Sequence, residues 1–194
     1  MKGPVTHQRR PVAVLAVPEP VRSSNANDPS CESHTPKGLQ LATPTDTTII
    51  MTRTFQAPRR LVWQAMTEPS KMRRWMLPPP GLTMTTCALE ARVGGALKIA
   101  WKSADADPVM TLEGVFTEFS PHERMVHTES MKLGSGQEIC ALVEAHEFSE
   151  TGAVTTMRIT QTYDSKEARD GALASGMDEG MEACYQHLET LVTQ

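Results

Sequence analysis

Cysteine, basic runs and long apolar stretches are all scarce in this sequence, and each shortage excludes a class of protein. The four cysteines stand far apart, with no C-x-x-C pair and no His at zinc-finger spacing, so we expect reduced thiols, no disulfide framework and no metal site. The formal net charge is -4 and Lys and Arg are not clustered, so the chain lacks the electrostatic pattern of a nucleic-acid-binding protein.

Membrane, secretory and catalytic signals are also missing. The apolar run from Val12 to Val17 is bracketed by prolines, and it is shorter than the roughly seven to fifteen residues of a secretory core or the about twenty of a membrane span. No hydrolase, metalloprotease, P-loop or dinucleotide-binding motif occurs. We therefore expect a cytoplasmic protein with no membrane partner, no cofactor and no assigned reaction.

Composition divides the chain into an N-terminal extension and one domain. Half of the prolines precede Asp46, whereas the first aromatic residue is Phe55. A segment that cannot bury apolar side chains does not order itself, so we expect a flexible Pro/Ser-rich extension over residues 1–46 and a folded domain over residues 47–194. The alternative, in which Val12 to Val17 is a strand or partner-binding segment, is disfavoured by the flanking prolines.

Hydrophobic periodicity predicts an α+β order of elements in the domain. A strand rich in β-branched residues, Ile49 to Phe55, precedes two short helices that end at the run Pro78 to Gly81. From Leu82 to Tyr163, turn signals separate successive strands and predict an antiparallel meander. Apolar residues at steps of three or four from Leu173 to Leu191 then predict one long amphipathic C-terminal helix.

Polar and glycine residues refine the prediction for that last helix. Asp164 followed by Glu167 has the spacing of a capping box, which predicts the start of the helix. Gly176 and Gly180 are one turn apart, although each destabilises a helix interior by about 1 kcal/mol relative to Ala. Two explanations stay open, namely close packing of the helix backbone on the sheet and space left for a ligand.

Short motifs spread through the domain carry a family resemblance. They are, in chain order, Arg53 to Pro58, Val62-Trp63, Thr67 to Pro69, Arg74-Trp75, Arg92 to Gly95, Glu113-Gly114, Pro121 to Arg124, Ser165 to Asp170, Gly176-Met177 and Gly180. Through these motifs the sequence from about residue 48 to residue 192 resembles the START-related SRPBCC superfamily. Within that superfamily it is similar to the family related to the C-terminal domain of the activator of heat-shock protein 90 ATPase.

The resemblance implies a helix-grip fold of the START and Bet v type, in which a curved antiparallel sheet wraps around a long C-terminal helix. It also implies a cavity for a small hydrophobic molecule, with chemistry usually absent. A chaperone activator would carry a separate N-terminal domain, which residues 1–46 do not supply, so we expect no chaperone contact. A chaperone-interacting module, with a role in stress response, stays an alternative, and a homodimer is compatible with the sequence.

Glu144 and His146 are the main candidates for a polar or catalytic role. Residues two apart share one face of a strand, so both lie on the face of Leu142 and Phe148. If that face is the gripped one, the two side chains can orient a ligand, or serve as orienting group and base of a cyclase-like or hydratase-like enzyme. The opposite parity, with Val143 inside and both polar residues in solvent, is left open.

Other candidate residues follow from side-chain type. Arg53 shares the parity of Phe55, and we expect it to form a structural ion pair with Glu90 or Glu118. Met and aromatic side chains suit adaptable apolar sites, so some of them should line the ligand cavity while the rest form core. The candidate ligand-binding residues are Met72, Trp75, Met76, Trp101, Phe116, Glu144, His146, Met177 and Met181. The function we expect is binding or sensing of a small hydrophobic molecule.

Overall fold

The computed structural model describes residues 38–105 and 108–194. The segment Val12 to Val17 lies outside these residues. In chain order the elements are β1 (Gln40–Thr45), β2 (Thr48–Phe55), α1 (Arg59–Thr67), α2 (Pro69–Trp75), β3 (Thr83–Leu89), β4 (Ala96–Lys102), β5 (Met110–Ser120), β6 (Arg124–Leu133), β7 (Glu138–Thr151), β8 (Val154–Tyr163), α3 (Lys166–Ala174) and α4 (Met177–Val192).

The strands form one antiparallel sheet of eight strands, in the order β1-β2-β8-β7-β6-β5-β4-β3. Strands β3 to β8 follow one another in the chain and in the sheet, so the predicted meander is confirmed. Strand β2 pairs with β8, with Ile50 opposite Thr160. The first long strand of the domain is therefore next to the last strand of the meander. The two short helices after β2 are also confirmed, and the fold is the expected α+β helix-grip fold.

Strand β1 corrects the predicted domain boundary. It lies within residues 1–46, which were expected to be a flexible extension, and it pairs with β2 through Gln40 opposite Thr52 and Ala42 opposite Ile50. All of its side chains are exposed, so it is held by backbone hydrogen bonds at the sheet edge and has no apolar pattern to reveal it. Pro44 falls where the pairing register shifts, a position at which an edge strand tolerates proline.

The C-terminal helix is also different from the prediction, because it is two helices. Gly176 adopts a left-handed backbone with φ of 74°, which ends α3 and starts α4 in a new direction. A Cβ at Gly176 or Gly180 would meet no atom within 4 Å, so close backbone packing does not explain either glycine. The N-cap is Ser165, whose Oγ accepts a hydrogen bond from the Ala168 N–H at 3.1 Å, and not the predicted Asp164.

The core lies between the inner face of the sheet and the helices. Tyr185 of α4 is its centre, with its ring 6.1 Å from that of Phe55 and 5.9 Å from that of Trp75. The Trp75 indole N–H donates to the Ala65 carbonyl at 2.8 Å, which fixes α2 against α1. None of the helices within the described ranges is long and apolar enough to cross a membrane.

Arg53 fastens β2 to α4 through a pair of carboxylates. Its side chain is 5% exposed; Nε lies 3.1 Å from Glu182 Oε2 and Nη2 lies 2.8 Å from Glu189 Oε2. The expected ion pair therefore forms, but the expected partners are wrong. Glu90 pairs with Arg92, and Glu118 pairs with Arg124. Glu90 follows β3 at the far edge of the sheet and Glu118 lies on β5, whereas α4 passes over β2.

Replacing Arg53 tests how much this attachment stabilises the domain. Arg53→Met removes both ion pairs of a buried guanidinium and leaves two carboxylates that are 24% and 30% exposed, so we expect the free energy of unfolding to fall by about 1–3 kcal/mol. Arg92→Met is the matched control, because the Arg92–Glu90 pair is exposed and should contribute under about 1 kcal/mol. Urea denaturation of both variants measures the difference, and equal losses would contradict this role of Arg53.

Candidate functional site

A row of polar side chains crosses the inner face of the sheet. The pairing register places His127 of β6 opposite Glu144 of β7, and Glu144 opposite Gln161 of β8. Directly opposed residues on neighbouring strands point to the same face, so the three side chains are neighbours. All of them are buried, which means that each needs a partner inside the protein.

The parity left open by the sequence is settled in favour of the inner face. Glu144 is 6% exposed and His146 is 2% exposed, and they share that face with the buried ring of Phe148. His146 is two residues after Glu144 on β7, which makes it the next residue on the same face, and it lies opposite Met125 of β6. The carboxylate and the imidazole therefore both point between the sheet and the helices.

A chain of hydrogen bonds connects these groups. The Tyr163 hydroxyl donates to Gln161 Oε1 at 2.8 Å, and Gln161 Nε2 donates to Glu144 Oε2 at 2.6 Å. The other carboxylate oxygen, Oε1, lies 2.7 Å from His146 Nε2. Gln161 thus links a phenol to a carboxylate. The orientation of its amide follows from these neighbours, because the amide oxygen accepts from the Tyr163 hydroxyl and the amide nitrogen donates to the Glu144 carboxylate.

Burial and neighbouring charge act in opposite directions on Glu144. Burial raises the pKa of this carboxyl, but the His146 imidazole, then His127 and the Gln161 hydrogen bond, outweigh burial and lower the pKa below its ordinary value. Burial also lowers the pKa of His127, to about 4, and raises the pKa of Tyr163. At neutral pH the site therefore holds a carboxylate, a neutral imidazole at position 127 and a protonated phenol.

His127 completes the cluster from the neighbouring strand. Its Nε2 lies 3.9 Å from Glu144 Oε1 and its Nδ1 lies 3.5 Å from Oε1 of Glu129. The His127 and His146 rings are stacked, with centroids 5.5 Å apart. Within the described residues, Nδ1 of each histidine is buried without a hydrogen-bond partner. Burial, followed by repulsion from Glu144, raises the pKa of Glu129 well above its ordinary value.

Half-buried apolar side chains border this polar cluster on both layers. Along β7, burial decreases from His146 and Glu144 to Leu142 and Cys140, and along α4 it decreases from Leu188 and Tyr185 towards the N-terminus. The half-buried residues of the two layers are Met131, Cys140 and Leu142 on the sheet and Leu173, Met177, Met181 and Cys184 on the helices. Both layers therefore become less buried towards the same end, near Tyr163, whose hydroxyl is 3.8 Å from Met177 Sδ.

The predicted ligand-binding residues fall into separate groups in the structure. Glu144 and His146 belong to the polar cluster, and Met76, Met177 and Met181 are half-buried beside the core. Four others are fully part of the hydrophobic core: Met72, Trp75, Trp101 and Phe116. Trp101 retains one polar feature, since its buried Nε1 has no hydrogen-bond partner within the described residues.

Sequence reasoning missed four members of the cluster: His127, Glu129, Gln161 and Tyr163. A local signal exists for His127 and Glu129. Both lie on the same face of β6 as the apolar residues Met125 and Met131, just as Glu144 and His146 share a face of β7 with apolar residues. Their proximity depends on the register of β6, β7 and β8, which no spacing within one strand reveals.

A shallow surface groove lies elsewhere, between β1 and α4. It is lined by Leu39, Leu41, Asp178, Glu179, Glu182, Ala183 and Gln186. The groove shares no residue with the polar cluster, and its polar lining is mostly acidic, with Glu182 already paired with Arg53. We therefore take the polar cluster, with its apolar border, as the candidate site.

Comparison with known proteins places the domain in a family. The sequence profile described as activator of Hsp90 ATPase homolog 1-like protein matches residues 56–193. A search of curated proteins finds no significant match.

Solved structures with the same fold come from several bacteria. A protein from Rhodobacter sphaeroides is 25% identical, with a TM-score of 0.70 over 80% of this chain and 97% of its own. A protein from Mycobacterium smegmatis is 21% identical, with a TM-score of 0.67 over 79% and 96% of the two chains. A protein from Nitrosomonas europaea is 20% identical, with a TM-score of 0.66 over 78% and 97%. The likeness of the last two extends to the fold alone.

Gln161→Glu tests whether the cluster is as closely coupled as its distances indicate. The substitution places a second carboxyl about where the amide now donates to Glu144 at 2.6 Å, and two buried carboxylates at that distance cannot both ionise. We expect the free energy of unfolding at neutral pH to fall by about 2–4 kcal/mol. Gln137→Glu, in the exposed β6–β7 turn, is the control and should change it by under about 0.5 kcal/mol. Chemical denaturation measures both, and a neutral effect of Gln161→Glu would contradict the geometry.

Proposed function

Because the chain belongs to the activator of Hsp90 ATPase homolog 1-like family, a START-related group with a gripped helix, we propose that it binds a small hydrophobic molecule between the sheet and helices α3 and α4. The ligand we propose is mostly apolar and carries an oxygen-bearing group at one end. Such a molecule matches a site that is apolar along its length and polar where β6, β7 and β8 meet.

The observation that carries this proposal is the half-burial of apolar side chains on both facing layers. Leu142 and Cys140 on the sheet and Leu173 and Met177 on the helices are apolar, yet each is only half-buried. Elsewhere in the same core, comparable side chains such as Ile159 and Leu188 are fully buried. A ligand that covered about 200 Å² of such surface would gain on the order of 5 kcal/mol from apolar burial.

The polar cluster gives that ligand an orientation. The Tyr163 hydroxyl, held by Gln161 and adjacent to Met177, lies where the cluster meets the half-buried residues. The single proton of this hydroxyl is donated to Gln161, so its oxygen is left to accept a hydrogen bond from a ligand hydroxyl. The unpartnered N–H of Trp101 supplies a donor on the same face of the sheet.

A ligand panel tests the proposal directly. Thermal shift measurements with long-chain fatty acids, flavonoids and aromatic polyketides should raise the unfolding temperature for at least one class, because a ligand that binds only the folded state stabilises it. Native mass spectrometry of the protein purified without denaturation should detect a bound organic molecule. A panel without any shift, together with ligand-free spectra, would contradict the proposal.

Tyrosine variants locate the polar end of the ligand. The chain has two tyrosines, and Tyr163→Phe removes the hydroxyl at the cluster, while Tyr185→Phe removes the other hydroxyl and keeps the ring between Phe55 and Trp75. We expect Tyr163→Phe to weaken binding of the panel's best ligand about tenfold, the loss of roughly 1.4 kcal/mol for one hydrogen bond. Tyr185→Phe should leave the dissociation constant within about twofold; titration calorimetry compares them, and equal effects would place the ligand elsewhere.

Acid–base catalysis on the bound molecule is a second candidate function, favoured by the contact between Glu144 Oε1 and His146 Nε2 at 2.7 Å. A carboxylate that holds one ring nitrogen fixes the tautomer and leaves Nδ1 free to accept a proton. His146→Gln that retains ligand binding but loses turnover of that ligand would support catalysis. Cytoplasmic location, oligomeric state and the absence of a chaperone partner stay predictions.

A further inference from the structure

We propose that His127, Glu144 and His146 form a binding site for one divalent transition-metal ion, with Nε2 of each histidine and Oε1 of the carboxylate as ligands. The ligand atoms of these three residues lie within 4.8 Å of one another, and all three residues are buried. Two imidazoles and one carboxylate are a ligand set that suits zinc or ferrous iron and leaves coordination positions open. The proposal goes beyond organic-ligand binding and does not require it.

The backbone makes this triangle of side chains a rigid one. Glu144 and His146 are two apart on β7 and therefore share a face, and His127 is directly opposite Glu144 on β6. Three ligands from two paired strands converge from one side, so they occupy one face of the metal ion and leave the other face free. Sites on hydrogen-bonded strands are held more exactly in place than sites on loops.

The distances suit an ion between the donors. His127 Nε2 points to Glu144 Oε1 but lies 3.9 Å from it, too far for a hydrogen bond. At the roughly 109° angle of a tetrahedral ion, two bonds of about 2.0–2.2 Å hold their ligand atoms about 3.3–3.6 Å apart, so His127 Nε2 and Glu144 Oε1 need to approach by about 0.3–0.6 Å. His146 Nε2, at 2.7 Å from the same oxygen, needs to move away by about 0.6–0.9 Å, and its proton must pass to Nδ1 when Nε2 binds the metal.

Partners behind the ligands resemble those of metal centres. Ligating histidines in proteins commonly direct their second nitrogen to a carboxylate, and His127 Nδ1 faces Glu129 Oε1 at 3.5 Å, although the two atoms are not hydrogen-bonded in this structure. Ligating carboxylates are commonly hydrogen-bonded on the free oxygen, and Glu144 Oε2 accepts from Gln161 at 2.6 Å. Gln161 is itself held by Tyr163, so the orientation of the carboxylate is fixed from behind.

Charge supports the same assignment. Glu144 is 6% exposed, and in the described part of the chain its ion-pair contacts are His127 and His146, without a Lys or Arg. A buried carboxylate is costly unless positive charge compensates it. A dication bound by Glu144 would supply that charge at the shortest distance available.

Metal titration of the full chain, carried out without a histidine tag, tests the proposal. After treatment with EDTA and then with zinc chloride, gel-filtered protein should retain about one equivalent of zinc by elemental analysis. Zinc should also raise the unfolding temperature. The visible spectrum of the protein titrated with cobalt chloride should report a site with nitrogen and oxygen ligands.

Three substitutions, His127→Gln, Glu144→Gln and His146→Gln, should each weaken zinc binding by about a hundredfold or more. His187→Gln is the matched control, because that histidine is exposed on α4 and outside the cluster. It should leave affinity and stoichiometry unchanged. Retention of one zinc by the triple variant would overturn the proposal.

Anomalous diffraction from zinc-soaked crystals of the unsubstituted protein tests the proposal even if the variants fold poorly. The proposal requires a zinc peak between Nε2 of His127 and Nε2 of His146, and a peak elsewhere or no peak overturns it. The organic-ligand panel is run in EDTA, while the metal titration uses protein stripped of organic ligand. Failure of one proposal is therefore distinguishable from failure of the other.

Discussion

The ionised carboxylate of Glu144, held inside the sheet, is the interaction on which the arrangement of the site depends. A charge in this position requires donors on both oxygens, and His146 and Gln161 provide them at 2.7 Å and 2.6 Å. The side-chain oxygen of Gln161 in turn needs a hydrogen-bond donor, which is the Tyr163 hydroxyl. One buried charge thus determines which side chains three adjacent strands must present, and it sets the register in which they can pair.

The rest of the fold buries this charge, since Glu144 is only 6% exposed. Arg53 joins β2 to Glu182 and Glu189 of α4, and Tyr185 packs between Phe55 and Trp75, so the helix is fixed to the sheet from its middle to its C-terminal end. Nearer to Met177 the side chains of both layers are less buried. The two layers are therefore fully buried around Tyr185 and less buried beside the polar cluster.

Sequence alone predicts the meander, because turn residues and alternation are local properties. It also brings Glu144 and His146 to attention, since both lie on one strand. It does not find β1, whose exposed side chains carry no pattern, or the break at Gly176, which depends on a left-handed backbone within an otherwise regular stripe. The partnership of Glu144 with His127 and Gln161, and that of Arg53 with Glu182 and Glu189, depends on register and helix placement, which are tertiary properties.

The left-handed residue between α3 and α4 has a kinetic consequence. Since Gly176 interrupts the helix, α3 is attached through its own contacts, which are the Arg169 hydrogen bond to the Thr45 carbonyl and the packing of Ala172 and Leu173 against the core. A short segment held in this way can detach without unwinding the sixteen residues of α4. For the ligand proposed above, the rates of entry and exit would then follow this local opening and remain largely independent of the global unfolding rate of the domain.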